Sequence, residues 1–239
     1  MKIYPDKSGK YPIRIFYEQG ELDNECEDVI TSFILNRYGE IKFPISTDDL
    51  TVLIEEKTSD FDQQADLSGE GVNIEGVTIF RPNIKPVIQI SRELWEINRE
   101  NRLRTTMLHE LGHVHFHRVL FENVLGNETR QLSFIDQKND LIIRCNRDTI
   151  LTATTVDWVE WQAGYASGAF LMPITPLRSL VQDYYKTHNL LATIKISSAQ
   201  GKELIQEALS MFKVSENAAR VRMLKLKYLT EQEIPDSLF

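Results

Sequence analysis

Apolar residues recur at helical spacing at Val29, Ile30, Phe33, Ile34 and Leu35, within a stretch from Glu21 to Arg37 that Gly39 ends. That pattern predicts an amphipathic helix. Thr47 to Glu56 predicts a second, short helix, and the polar, acidic run from Lys57 to Gly71 reads as a surface loop. The period then changes. Val72, Ile74, Val77 and Ile79 alternate up to Phe80, and Pro86 to Ser91 carries Val87-Ile88-Gln89-Ile90, so two strands are predicted. From Asn98 to about Leu120 the helical period returns, with Leu103, Met107, Leu108, Leu111, Val114 and Leu120 on one side. Phe121 to Thr155 reads as an irregular insertion with room for a hairpin around Leu141-Ile142-Ile143. Val156 to Leu171 predicts a helix rich in small residues (Ala163, Gly164, Ala166, Ser167, Gly168, Ala169) and stopped by Pro173. Small residues let a second helix approach closely, so this one is expected to lie buried against helix 98–120. Pro176 to His188 predicts a further helix.

Composition narrows the class. With 239 residues, 42% of them apolar and 26% charged, the chain can bury a sizeable core in the manner of a soluble globular protein. A net charge of −8 argues against a surface built throughout to grip nucleic acid, though it permits a local basic patch. Cys26 and Cys145 are far apart and form no metal-binding pair by spacing, so reduced thiols of a cytoplasmic protein are expected. The first residues contain no apolar leader core, and nowhere do about 18 apolar residues run together. No membrane partner is expected.

One stretch names a chemistry. His109-Glu110-Leu111-Gly112-His113 places two histidines four apart on a predicted helix, about 6 Å along its axis, where one metal ion reaches both rings. The glutamate beside the first histidine can take a proton from a water that the metal activates. Catalytic zinc normally has three protein ligands. His117 lies about 12 Å along the helix from His109, too far to share the ion. A metzincin would need Gly three residues and His six residues after His113, and Phe116 and Val119 stand there instead. A downstream carboxylate remains, from among Glu122, Glu128, Asp136, Asp140, Asp148, Asp157 and Glu160. Asp157 and Glu160 sit on the buried-looking helix, where a side chain can be aimed rigidly and a cation would offset its burial. Glu160 is the choice of third ligand.

The surrounding residues carry a resemblance. Arg104-Thr105-Thr106-Met107-Leu108-His109-Glu110-Leu111-Gly112-His113, followed by His117, resembles the Arg-x-Thr-x-x-His-Glu-Leu-Gly-His segment of the ImmA/IrrE metallopeptidases. Glu160-Trp161-Gln162-Ala163-Gly164, ending in Phe170-Leu171-Met172-Pro173, is similar to that family's Glu-x-x-Ala-Asn … Leu-Leu-Met-Pro helix. The resemblance runs from roughly Val72 to Pro173. It implies an α+β, zincin-like fold in which a small sheet packs on the motif helix and the Glu-bearing helix, with helical segments at both ends. It also implies Zn2+ held by His109, His113 and Glu160, with Glu110 as the catalytic residue. The family's Asn is Gly164 here. In related Glu-zincins that residue supports a zinc histidine, a contribution worth roughly 10–100-fold in metal affinity or activity. Asp157 or a backbone carbonyl is expected to substitute. For binding of an extended substrate, strand 86–91 is the expected free edge. His188 and Tyr165 are the candidates for stabilising an oxyanion, and His115 is expected to face away from the metal.

The organisation expected is a zincin-like domain over residues 1–190, its first 70 or so residues largely helical, and a C-terminal segment over 191–239. There Ser197-Ser198-Ala199-Gln200 opens a helix carrying Leu204, Ile205, Ala208, Leu209 and Phe212. Lys213-Val214 then leads into a second capped helix from Ser215 to about Tyr228, in the manner of a helix-turn-helix. Residues 201–227 hold six Lys/Arg against three Glu, with Arg220, Arg222, Lys225 and Lys227 on the second helix. Two readings follow: an αα-hairpin packed on its own core, or a docking element for DNA or a DNA-binding protein. The function expected is a cytoplasmic zinc-dependent endopeptidase acting, as the resemblance implies, on a helix-turn-helix transcriptional repressor in a mobile-element or stress regulatory circuit. The alternative is a non-proteolytic regulator that binds DNA or a repressor through the C-terminal helices.

Overall fold

The computed structural model describes residues 1–7, 11, 13–81, 83–96, 98–131, 141–148, 150, 153–155 and 157–231, and of 121–131 and 141 the backbone alone. Among these residues the chain forms two compact units, Met1–Glu25 with Ser46–Ser167, and Cys26–Ile45 with Gly168–Phe239.

The first unit is built on a four-stranded mixed sheet. Its strands are β3 (Asp60–Ala65), β4 (Ile74–Phe80), β5 (Val87–Ser91) and β6 (Leu141–Asn146), in the spatial order β3-β5-β4-β6. They follow an N-terminal hairpin of β1 (Lys2–Pro5) and β2 (Ile13–Phe16). β3 runs parallel to β5, and the β5–β4 and β4–β6 pairings are antiparallel. Helix α3 (Glu100–Gln131) packs mainly against β4. Ile15, Phe80, Leu120, Ile143, Trp158 and Val159 fill the core beside it.

The α+β class read from the sequence stands, and so do strands β4 and β5. Three local expectations are corrected. Residues 60–65 form a strand, not a loop: β3 is an outer strand whose polar side chains are mostly exposed, so its place comes from backbone pairing with β5 and not from apolar alternation. Within the N-terminal segment expected to be largely helical, the first residues form a hairpin anchored by the buried Ile15. Strand 86–91 offers no free edge, because β5 is hydrogen-bonded to β3 on one side and β4 on the other. Among the described residues, the sheet's two outer strands are β3 and β6.

Helix α1 (Gln19–Tyr38) passes from the first unit to the second, as does α4 (Trp158–Leu171). Helix α2 (Thr47–Lys57) starts at the Ser46 cap, whose hydroxyl accepts from the Asp49 amide at 3.0 Å. The second unit holds α5 (Ile174–Thr187), α6 (Ala199–Phe212) and α7 (Glu216–Lys225), with short strands β7 (Ile194–Lys195) and β8 (Leu229–Thr230) pairing in parallel. Ser198 caps α6 through the Gly201 amide and Ser215 caps α7 through the Ala218 amide. Between them Lys213 adopts the left-handed conformation at φ 51°. Two capped helices joined by a short turn are therefore present. Of the four basic residues expected on the second helix, however, Arg222 is buried, donating from Nε and Nη2 to the Met172 carbonyl just beyond α4. Lys225 is half-buried, Arg220 pairs with Glu231, and Lys227 is exposed. No described helix is long and apolar enough to cross a membrane.

Candidate metal centre

The pentapeptide lies on α3, and His109, Glu110 and His113 are all completely buried. Gly112 explains how a second helix reaches them. A Cβ there would come within 3.1 Å of the Ala163 Cα and 3.3 Å of the Ala166 Cβ, so α3 and α4 touch backbone to backbone. The close approach expected from the small residues of α4 is what the structure contains. It carries Glu160, in the first turn of α4, to the two histidines.

Donor atoms of three residues converge. His109 Nε2 and His113 Nε2 lie 3.1 Å apart, His109 Nε2 is 3.2 Å from Glu160 Oε2, and His113 Nε2 is 3.5 Å from Glu160 Oε1. Zinc bonds of about 2.0–2.1 Å in tetrahedral geometry separate neighbouring donors by about 3.3 Å. The two imidazole nitrogens are thus spaced for one ion, each with a different Glu160 oxygen within 3.5 Å, and a donor set of two imidazoles and a carboxylate suits such an ion. Burial alone would lower the His109 pKa, but hydrogen bonding and charge from Glu160, with a smaller pull from Glu110, outweigh it and hold the imidazole above its ordinary value.

Glu110 points the other way, toward the sheet. Thr78 on β4 donates its hydroxyl to Oε2 at 2.5 Å, and Oε1 has no N–H or O–H donor among the described residues. β4 can run this close because residue 76 is glycine: a Cβ there would fall 2.3 Å from Oε1. Burial raises the Glu110 pKa from 4.5 to about 7, against smaller lowering effects from His109 and Thr78. The thiol of Cys145 on β6 also lies beside this carboxylate, and burial pushes its own pKa well up. Thr78 and Cys145 were invisible as site residues in the sequence, because both occupy ordinary inward positions of strands whose pairing brings them to Glu110.

His117 does not join the three donors, as its position on the helix predicts. Its Nδ1 lies 3.1 Å from His113 Nδ1 and its Nε2 is 2.9 Å from Gln162 Oε1. Burial lowers its pKa to about 4, so the ring is neutral. His115 turns aside, 3.5 Å from Glu25. Tyr165 is buried with its hydroxyl donating to Asp23 at 2.9 Å, and His188 caps the end of α5 while stacking on Tyr184 at 4.2 Å. Neither contact points to an oxyanion role. Asp157 precedes α4, its carbonyl accepting from the Trp161 amide. Asp148 sits in the turn after β6, its amide donating to the Asn146 side chain. Asp136 and Asp140 lie outside the described residues, as do the side chains of Glu122 and Glu128.

Gly164 has a reason of its own. A Cβ at that position would lie 2.2 Å from the Ile150 carbonyl oxygen, so the space for a side chain is filled by backbone. His109 Nδ1 is buried and has no hydrogen-bond partner among the described residues.

The family model of the IrrE N-terminal-like domain, a peptidase family, matches residues 62–224, which is more than half of the chain. That span contains every residue of the site. Among curated proteins, nothing matches the chain.

Proposed function

This chain belongs to the IrrE N-terminal-like family of metallopeptidases, and from that premise we propose that it is a cytoplasmic, zinc-dependent endopeptidase whose substrate is a helix-turn-helix transcriptional repressor. The observation that carries the zinc reading is the convergence of the His109 and His113 Nε2 atoms, 3.1 Å apart, on the two oxygens of the Glu160 carboxylate at 3.2 and 3.5 Å. Zinc held by these residues supplies Lewis acidity, which polarises a scissile carbonyl and lowers the pKa of water toward about 7.

The chain's own residues do the rest. Glu110 is the general base: it takes a proton from the attacking water and delivers it to the departing amine. In the metal-free protein burial raises this carboxyl to about 7, and a nearby cation would favour its ionised, proton-accepting form. The Thr78 hydroxyl holds one carboxylate oxygen, leaving the other for the transfer. Among the described residues β6 pairs only with β4, and it carries Cys145 against Glu110. An extended peptide adding to the outer edge of β6 by backbone hydrogen bonds would pass beside the catalytic glutamate. The repressor as substrate and the regulatory circuit rest on the family resemblance. The buried free thiols of Cys26 and Cys145 support a reducing compartment.

The test is co-incubation with a repressor encoded beside the peptidase, comparing wild type with Glu110→Gln. The variant should keep one equivalent of zinc and lose cleavage by at least 100-fold, in line with removal of a general base. Unchanged cleavage in the variant, or a wild-type chain that takes up no zinc, overturns the proposal.

A further inference from the structure

His113 turns its two ring nitrogens to different tasks. Nε2 faces His109 and Glu160, while Nδ1 meets Nδ1 of His117 at 3.1 Å. From His117 the contacts continue through Nε2 to Gln162 Oε1 at 2.9 Å, and from Gln162 Nε2 to the backbone carbonyl of Ile15 at 2.8 Å. His113, His117 and Gln162 are all buried, so water is not competing for these bonds.

The direction of this chain is set at its far end. The Ile15 carbonyl can only accept, so the Gln162 amide presents its NH2 group there and its oxygen to His117. That oxygen also only accepts, so the hydrogen of His117 is on Nε2. His117 has an amide and an imidazole as its hydrogen-bond partners, with no carboxylate touching it to hold a second proton. A neutral imidazole has one N–H, so His117 Nδ1 is an acceptor and draws the hydrogen of His113 onto Nδ1. His113 is left with a bare lone pair on Nε2, the nitrogen that faces His109 and Glu160. A backbone carbonyl on β2 thereby selects the tautomer of a histidine on α3.

We propose that His117 and Gln162 are positioning residues that lock His113 in its metal-accepting tautomer, supplying the support that no side chain at position 164 can give. This rests on the reading of His109, His113 and Glu160 as a metal site. The contrast with His109 strengthens it. The Nδ1 of His109 is buried without a partner among the described residues, and the Ile150 carbonyl leaves no room for a side chain at Gly164. In this protein the second histidine of the motif has a buried hydrogen-bond partner on Nδ1 and the first has none among the described residues.

Two measurements test it. In zinc-free, 15N-labelled protein, long-range 1H–15N spectra should show His113 protonated on Nδ1 and His117 on Nε2. Competition with a chromophoric chelator should then show zinc affinity falling about 10–100-fold in His117→Phe and in Gln162→Leu. Gln162→Met serves as the second variant if the leucine protein melts early. Both ends of the relay should weaken zinc to a similar degree, and the double variant should cost little more than either single one. A wild-type His113 carrying its hydrogen on Nε2 overturns the proposal, as does zinc affinity unchanged within twofold in folded variants. A wild-type chain that binds no zinc would sink the peptidase reading, and the spectra would still decide the relay.

Discussion

Glu110 makes the metal-free protein sensitive to pH in a direction opposite to that of a salt-bridged carboxylate. Burial raises its pKa from 4.5 to about 7, so the folded state holds the proton more tightly than the unfolded chain does. A raised folded-state value contributes stability that is fully present below about pH 4.5 and is lost as pH rises through about 7. At 1.36 kcal/mol per pH unit the whole interval is worth about 3 kcal/mol, of which about 2 to 3 kcal/mol falls between pH 5 and pH 8. Glu110→Gln keeps the shape of the side chain and cannot ionise. Urea unfolding of chelator-treated wild type and Glu110→Gln at pH 5, 6, 7 and 8 reads the difference directly. The glutamine variant should gain on wild type steadily, by about 2 to 3 kcal/mol over this range. Titration of His109 largely cancels in the comparison, because Glu110 influences it less than burial and Glu160 do, and Glu160 is present in both proteins. Added zinc should flatten the trend, since a nearby cation favours the carboxylate. A difference that stays within about 0.5 kcal/mol at all four values would refute the claim that Glu110 is held in a dry, proton-favouring site.

Two further outcomes separate packing from chemistry elsewhere in the chain. Gly164→Asn, which restores the residue type of the family motif, should destabilise the protein by about 1–3 kcal/mol in urea unfolding, because its Cβ would meet the Ile150 carbonyl at 2.2 Å. A variant as stable as wild type would show that the α4 backbone can give way there. Arg222→Ala should cost about 1–3 kcal/mol, by removing the guanidinium that satisfies the Met172 carbonyl. Lys227→Ala, at an exposed position, should stay within about 0.5 kcal/mol. Equal and negligible effects would show that the Arg222–Met172 contact adds nothing measurable to stability.

Much of the site was legible because it is local. His109 and His113 share a helix face by spacing alone, and Glu110 follows from adjacency. The same arithmetic sets His117 apart from His109, and its Nε2 meets Gln162 instead. Glu160 needed more, since seven downstream carboxylates were open and only the buried character of its helix and the family pattern singled it out. The errors arose where position depends on a partner strand. β3 is polar and was read as a loop, since an outer strand in parallel pairing need not show alternation. β5 was given a free edge because a strand's neighbours are not written in its own residues.

The sequence by itself determined which side chains can act: two imidazoles and a carboxylate at helix spacing, and a glycine in the motif. Only the tertiary structure decided what surrounds them. Gly112 meeting Ala163 brings α4 onto α3, Gly76 lets β4 press against Glu110, and Ile15 reaches Gln162 across almost the whole length of the first unit's chain. Helical periodicity acts over a few residues and survives in one dimension. Close approach, burial and the direction of a hydrogen-bond chain depend on groups far apart in sequence, and they exist only once the chain has folded.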